Sequence, residues 1–368
     1  MNMSKKRKKG MNSNAKWGIA LVAEIIVLII MAVCYGNLWI KSKIAEVNIQ
    51  EIEEEDIVVN EGINEDQESY TNIALFGLDA RDMGSGALQA GNRSDSIMIA
   101  SINNETKEVR IVSLYRDSFL EIEDEDGSWL TKVNAAYAYG GPELAINTIN
   151  ANLDLHITDY VAVNFQALSE AIDVLGGIPI HLDSNELPML NAAITEQISI
   201  TGKNVDGIFE PGDYILNGTQ ATAYARIRST DQGDITRTER QREVIFKVME
   251  KAKSSNLGTI NDALDAALPY VLTSFSEDEL YDMVTDVLDY EISQTAGFPF
   301  AYYPYSHPTS GSILVPADLT SNVTALHEFL FGTQSYVPSQ KVQDISSSVQ
   351  YETGVGAQEI DITPYLPE

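Results

Sequence analysis

The chain has 368 residues, 44% hydrophobic and 21% charged, so most of it should fold around a buried core, as one large domain or two small ones. The formal net charge is -30, and it is unevenly spread: residues 1–43 carry eight Lys/Arg against one Glu, leaving 16 basic and 53 acidic residues beyond them. Such an outer part excludes nucleic acid, whose phosphates need a basic face, and any anion it binds must meet a local basic cluster. The single cysteine, Cys34, rules out an internal disulfide, and His156, His181, His307 and His327 are too scattered for a zinc site. The histidines read as surface or packing residues.

The first predicted element is a membrane anchor. Lys5, Lys6, Arg7, Lys8, Lys9 and Lys16 precede an apolar run from Trp17 to Ile40. As a helix rising ~1.5 Å per residue, the run reaches ~36 Å, enough to cross a bilayer with some tilt. Trp17 and Trp39 stand at its two ends, where aromatic belts lie. The positive-inside rule puts residues 1–16 in the cytoplasm as a basic tail and the chain beyond residue 41 outside. The run is too long for a cleaved signal peptide, and no small-x-small site follows it. Glu24, the one charge in the span, reads as snorkelling or protonated.

Residues 41–69 include Glu53-Glu54-Glu55-Asp56 and read as an acidic, solvated stalk. From Tyr70 the pattern changes. Strands are predicted at Asn72–Phe76, Ser96–Ile102 and, after the polar turn Asn103-Asn104-Glu105, Glu108–Leu114. Pro142–Leu153 reads as a helix with proline in its first turn. Tyr160–Asn164 is a strand, Gln166–Leu175 a helix closed by Gly176-Gly177, and Ile178–Leu182 the next strand. Helices and strands interleave, which argues for a layered α/β fold. The expectation is a three-layer α-β-α domain around a mixed central sheet over residues 70–334, preceded by one transmembrane helix. Residues 335–368 lack periodicity and read as a flexible acidic tail.

If the first three strands form an antiparallel meander, Asp79 after strand one and Asp95 at the start of strand two fall at one sheet edge. Strand three ends there too, in Leu114-Tyr115-Arg116-Asp117. Turn chemistry alone explains such Asp and Gly residues equally well. The next segment tips the balance. Arg226, Arg228, Arg237, Arg240 and Arg242 are five of the outer chain's 16 basic residues, gathered within residues 226–242. In extended backbone Arg226 and Arg228 point to one face. Thr236 with Glu239 is a capping-box signature, so a helix should begin there, with Arg237, Arg240 and Gln241 on one face. Guanidiniums, an amide and a helix N-terminus aimed together suit a diphosphate. Surface ion pairs, at ~0–1 kcal/mol each, are a weak reason for such density.

Taken in order, these segments resemble the LytR-CpsA-Psr family of cell-wall proteins. The likeness covers about residues 70–255. It rests on Asn72 to Asp79, Arg93-Ser94-Asp95, Arg116-Asp117, Lys132 to Tyr137, Asp173 to Gly177, Leu216-Asn217-Gly218, Tyr224 to Arg228, and Gly233-Asp234 through Arg237 to Arg240-Gln241. The resemblance implies a phosphotransferase that takes a glycopolymer from a polyprenyl pyrophosphate carrier and attaches it to a peptidoglycan hydroxyl. It implies Asp79 and Asp95 as ligands of magnesium, or equally manganese. It implies Arg116, Arg226, Arg228, Arg237 and Gln241 as the pyrophosphate clamp; Arg240 joins it as a candidate. Asp234 matches a further active-site acid that supports the clamp. The catalytic base stays open among Asp79, Asp95, Asp117 and Asp234. Lys132 reads as packing its loop. Ser118 stands where Thr is commoner, Leu114 where Pro often precedes the motif, and the Asp79–Asp95 loop is long. A polyprenyl-pyrophosphate hydrolase and a non-enzymatic lipid- or wall-polymer-binding regulator are the competing readings.

Overall fold

The computed structural model describes residues 40–63, 67–78, 91–227, 234–286 and 289–356. It divides into a first unit, Met1–Ala45, described only from residue 40, and a second, Glu46–Glu368. The expected anchor over residues 17–40 thus lies, apart from Ile40, outside the described residues. Among the described residues no helix is long and apolar enough to cross a membrane.

The second unit opens with β1 (Asn48–Ile49) and a meander of β2 (Tyr70–Leu78), β3 (Ser94–Asn103) and β4 (Glu108–Leu114). A hairpin, β5 (Phe119–Asp124) and β6 (Gly127–Lys132), leads into α1 (Ala135–Leu153). Then come β7 (Asp159–Asn164), α2 (Phe165–Val174), β8 (Ile178–Leu182), α3 (Leu187–Thr201), β9 (Gly212–Leu216), α4 (Gly218–Tyr224), α5 (Asp234–Lys253) and α6 (Leu257–Ala267). The remainder is β10 (Val271–Thr273), α7 (Glu277–Asp286), β11 (Glu291–Phe298), the hairpin β12 (Tyr302–His307) and β13 (Gly311–Pro316), α8 (Leu319–Phe331) and α9 (Gln340–Thr353).

Seven strands form one mixed sheet in the order β1-β10-β7-β2-β3-β4-β11. β3 pairs antiparallel with both β2 and β4, so the meander forms as expected, while β2–β7 and β4–β11 are parallel. Side chains along a strand alternate between faces. Ala74, Phe76, Leu78, Ile97, Ile99 and Val112 join one core with α1, α8 and α9. Ile73, Met98, Ala100, Val109 and Ile111 face the other side, under Ile245 of α5 and Leu280 and Met283 of α7. With both faces covered, the strands read as continuous apolar runs such as Ile97-Met98-Ile99-Ala100. A separate lobe, with Ile178, Leu182, Leu190, Leu216 and Tyr224 buried together, joins β8, β9, α3 and α4 to α5.

Local chemistry sets the boundaries. Asn103 Oδ1 accepts from the backbone N–H of Glu105 and Thr106 at 3.0 and 2.9 Å, the Asx-turn that reverses the chain between β3 and β4. Asn164 caps α2 by accepting from Ala167 N–H at 2.9 Å. Asn217 and Gln220 make a reciprocal capping box on α4. A Cβ at Gly218 would meet the Ser169 carbonyl oxygen at 2.0 Å, so only glycine lets α4 sit this close to α2. Strands predicted at Glu108–Leu114 and Ile178–Leu182 appear with those limits, the first two are longer by one to two residues per end, and Tyr160–Asn164 gains only Asp159. The first predicted helix starts earlier, at Ala135, and breaks at Gly140 and Gly141 before Pro142.

Two expectations are overturned. The stalk does not stand clear of the domain over residues 46–63: β1 pairs with β10, Ile52 and Ile57 pack on the main core, and Ile63 is buried, while Glu53-Glu54-Glu55-Asp56 stay exposed. The tail is not flexible over residues 340–353: α9 places Val342, Ile345 and Val349 in that same core. Residues 357–368 lie outside the described residues. One buried carboxylate explains both. Asp154, at 0% exposure and φ 51°, accepts from Asn60 Nδ2 at 2.7 Å, from Ser339 N–H and Oγ at 2.6 Å each, and from Tyr336 Oη at 3.2 Å. Its carbonyl accepts from Gln67 Nε2 at 2.9 Å. A desolvated anion is stable only with such a full set of donors, and the donors come from both ends of the domain.

Replacing Asp154 with Ala should strand these donors and cost about 3 kcal/mol or more. Urea unfolding would read the loss, and hydrogen exchange should rise at residues 57–63 and 339–349 before the central sheet opens.

Candidate active site

The sheet gathers the candidate residues at one edge. Leu78 at the end of β2 pairs antiparallel with Ser94 at the start of β3, so Asp95, the second residue of β3, stands at this edge. Asp79 itself lies outside the described residues. β4 ends at Leu114, one residue before Tyr115-Arg116, and β7 ends at Asn164, where α2 begins with Phe165. A Cβ on Gly77 would meet Ser96 Cβ at 2.9 Å, so this edge of the β2–β3 pair is held close.

Arg116 Nη1 donates to Asp95 Oδ1 at 2.5 Å. Asp117 Oδ2 lies 3.9 Å from Arg116 Nε, and Lys132 Nζ holds Asp117 Oδ1 at 2.9 Å. The reading of Lys132 as a packing residue gains detail: it anchors Asp117. Arg237, only 3% exposed, donates through Nη2 to the Asp95 carbonyl at 3.0 Å. Arg226 lies 5.6 Å from the centroid of Phe165 and 3.4 Å from Glu196 Oε1.

Asp95, Phe165, Met189, Ala193, Glu196, Arg226, Arg237 and Gln241 line one pocket of about 520 Å³. The N-terminus of α2 opens at Phe165 on this pocket and adds backbone donors and a positive dipole end. Beside it runs a second, apolar cavity of about 230 Å³ between the sheet, α2 and α5, lined by Leu75, Met98, Val161, Val163, Leu168 and Ile245. Phe165 and Gln241 belong to both cavities. Gln241 is 5% exposed, and neither its amide nitrogen nor its amide oxygen has a hydrogen-bond partner among the described residues. A buried amide left unsatisfied is costly unless something else satisfies it.

Not every expected residue is here. Arg240 turns away: its Nε and Nη2 grip Glu186 Oε1 at 3.0 and 2.8 Å, and Nη1 reaches the Ile227 carbonyl at 3.3 Å. It also lies 5.6 Å from the ring centroid of Tyr224. Burial pushes the Tyr224 hydroxyl's pKa up, as does Glu243, to which it donates at 2.8 Å. Arg226 sits not in extended backbone but in a turn closing α4, its N–H bonded to the Ala223 carbonyl at 3.0 Å. The helix expected from Thr236 starts at Asp234. The Asp234 side chain and all of Arg228 lie outside the described residues. The sequence reading missed Phe165, Glu196 and the whole apolar lining. Phe165 offered one signal, a large aromatic just after the strand-end Asn164.

The LytR-CpsA-Psr family model matches residues 35–299. The chain belongs to the LytR-CpsA-Psr family. Among curated relatives, the polyisoprenyl-teichoic acid–peptidoglycan teichoic acid transferase TagU of Bacillus mycoides is 32% identical over 58% of this chain and 62% of its own length. The chain therefore spans less than two thirds of that relative. TagU of Bacillus licheniformis is 28% identical over 72% of this chain and 79% of its own. Biofilm regulatory protein A of Streptococcus mutans is 34% identical over 49% and 43%. The fold matches a Streptococcus agalactiae crystal structure at TM-score 0.62, with 22% identity over 77% of this chain and 95% of that one. It also matches Bacillus subtilis TagT at 0.51, with 22% identity over 84% and 100%.

Arg240, which is buried, and Arg226, which is only partly so, are separated by experiment. Arg240→Ala would leave the Glu186 carboxylate buried without its cation and should cost about 3–5 kcal/mol in urea unfolding. Arg226→Ala removes a partner of the half-exposed Glu196 and should cost under about 1 kcal/mol.

Proposed function

We propose that this protein is a membrane-anchored phosphotransferase that moves a glycopolymer from a polyprenyl pyrophosphate carrier onto a peptidoglycan hydroxyl. One observation carries the reading: an apolar cavity opens at Phe165 and Gln241 directly into a pocket lined by Arg226 and Arg237. That junction matches a molecule whose hydrocarbon end and diphosphate end are covalently joined. The relatives named as teichoic acid transferases support the same reaction class. The anchor over residues 17–40 would hold the catalytic domain outside the cell, next to carrier and wall.

In the proposed reaction the acceptor hydroxyl oxygen attacks the phosphorus that bears the glycan. The P–O bond to the second phosphate breaks, and polyprenyl phosphate leaves with the electron pair. The hydroxyl proton passes to a carboxylate; among the described lining residues Asp95 and Glu196 are the carboxylates, beside Asp79 and Asp234 from the sequence. Arg226 and Arg237 neutralise the oxygens that carry the charge, and Arg116 acts through Asp95. Fixed donors in a water-poor pocket stabilise a transition state without reorganising. The Gln241 amide gains a phosphate oxygen as the acceptor it lacks inside the protein.

Magnesium, or equally manganese, would sit at Asp79 and Asp95. Among the described residues no group of three or more His, Cys, Asp or Glu is placed to hold a metal ion. A carboxylate such as Asp95, facing an arginine-lined pocket, fits the habit of magnesium of taking one or two carboxylates and completing its shell with phosphate. When bound, the ion would neutralise diphosphate charge.

The test uses full-length protein in detergent, a polyprenyl pyrophosphate-linked glycan and peptidoglycan oligomers, with products followed by mass spectrometry. Metal-dependent glycan–phosphate–peptidoglycan should form and fall ~100-fold or more in Arg116→Ala and Arg237→Ala. Leu168→Trp, which fills the apolar cavity, should raise KM for a long-chain carrier and spare a short-chain one. Hydrolysis alone would mean a phosphatase; lipid binding with no turnover under any metal, acceptor or polymer would leave a binding protein.

A further inference from the structure

A cleft of about 590 Å³ lies between the β5–β6 hairpin, α1 and the start of α9. Glu121, Glu123, Asp124, Glu125 and Asp126 reach it from the hairpin and Glu143 from α1. Lys341 is the one cation among its described lining residues, and it is already engaged by Glu121 at 2.8 Å and Glu123 at 2.6 Å. The other four carboxylates stand without a cation on the lining. Desolvation, then the neighbouring Asp56, raises the Glu143 pKa, which shows that negative charge is crowded here.

Crowded carboxylates alone are no site, and two further features give this cleft its character. Thr148 lines it at 3% exposure, and its hydroxyl has no hydrogen-bond partner among the described residues. A buried, unsatisfied hydroxyl is rare in a folded protein unless a ligand or water completes it. Tyr139 stands on the rim at 59% exposure, propped edge-on by Trp129 at 5.7 Å between ring centroids. An exposed ring beside carboxylates attracts an ammonium group through its π face. Val58, Leu144 and Ala151 supply apolar wall suited to a methylene chain. A bare metal ion would use neither the ring nor the apolar wall, and the cleft is far larger than one ion.

We infer that the cleft formed by the β5–β6 hairpin and α1 binds an aliphatic ammonium group carried on a methylene chain. Resting on the proposed transfer to peptidoglycan, the bearer of that group is the side-chain amine of the acceptor's stem peptide. The hairpin supports this link: β5 starts at Phe119, two residues after Asp117, and Glu123 lies about 13 Å further along the strand at ~3.3 Å per residue. A saccharide whose hydroxyl enters the reaction pocket and whose peptide reaches this cleft would be held at two points.

Calorimetry on the full-length protein in detergent tests the inference without requiring turnover. The probes are a muramoyl tripeptide with a free side-chain amine, the same peptide N-acetylated there, the diamine cadaverine, and calcium chloride. The free-amine muropeptide should bind saturably, and acetylation should weaken it tenfold or more. Tyr139→Ala and the double variant Glu125→Gln/Glu143→Gln, all at exposed positions, should weaken it similarly while leaving the unfolding transition unchanged. Cadaverine binding as tightly as the muropeptide would keep the amine site and overturn its assignment to the acceptor. Equal affinity for the acetylated peptide, no change in the variants, or binding of calcium alone would overturn the site itself. Transferase activity with no amine dependence would sink this inference and leave the proposed function standing.

Discussion

Holding an anion inside an anionic protein is the constraint that shapes the site. With 16 basic residues against 53 acidic ones beyond the first 43, long-range attraction cannot bring a diphosphate in. Short-range contacts must do it. At about 4 Å and an effective dielectric near 20, one charge pair is worth roughly 4 kcal/mol, far more than the screened field of a distant surface. On the proposed function the arginines therefore have to be fixed around the place that phosphate oxygens would take. Each is. Arg116 is fixed by the Asp95 carboxylate, Arg237 by the Asp95 carbonyl, and Arg226 by Phe165 and Glu196. The partners of Arg237 and Arg226 include weak or replaceable ones, a carbonyl, a ring face and a half-exposed carboxylate, while Arg116 is held by a full charge pair. They hold the guanidiniums in place, so a phosphate arriving as proposed would find the geometry already set.

The mixed sheet makes this economy of cations possible. β3 runs antiparallel to β2 and β4, while β7 runs parallel to β2. The end of β2, the start of β3, the end of β4 and the end of β7 consequently share one edge. Four segments that are far apart in the chain each contribute there, and α5 lays Arg237 and Gln241 across the same edge from the other layer. A fully parallel sheet would offer only strand ends at that edge; the antiparallel meander adds a strand start, and Asp95 is that start. The apolar cavity follows from the same layering, because Gly77 and Ala225 leave space where α2 and α5 meet the sheet.

The parts of this design that were legible in the sequence are the local ones. Strand limits at Glu108–Leu114, the Asx-turn at Asn103 and the convergence of the Asp95 and Arg116 segments all rest on period, turn chemistry and antiparallel pairing. What was not legible depends on partners remote in the chain. Arg240 shares a helical face with the clamp, yet Glu186, 54 positions away, claims it. Residues 46–63 look like solvated acid because few of them are apolar, and their attachment hangs on Asn60 finding Asp154. The α9 segment did carry a helical period in Val342, Ile345 and Val349, masked by the intervening Ser346-Ser347-Ser348. A sparse apolar stripe is enough when Asp154 and the Asp318–Ser346 hydrogen bond at 2.9 Å pin the helix from both sides.

Gln241 shows why the junction between the two cavities carries an amide and not a further charge. Its side chain faces hydrocarbon-lined space on one side and an arginine-lined pocket on the other. A Lys or Arg at this depth would have to shed its hydration beside Leu75, Val161 and Ile245, at a cost of several kcal/mol that no carboxylate on the apolar side offsets. An Asp or Glu would oppose the diphosphate. An amide is neutral, so its burial costs only its own unmade hydrogen bonds, about 1–3 kcal/mol each, and a phosphate oxygen bound as proposed would accept from Nε2 and recover the donor's share. The donor would thus be unsatisfied only in the form without ligand, and the energy it withholds from the folded protein would be recovered where lipid and phosphate meet.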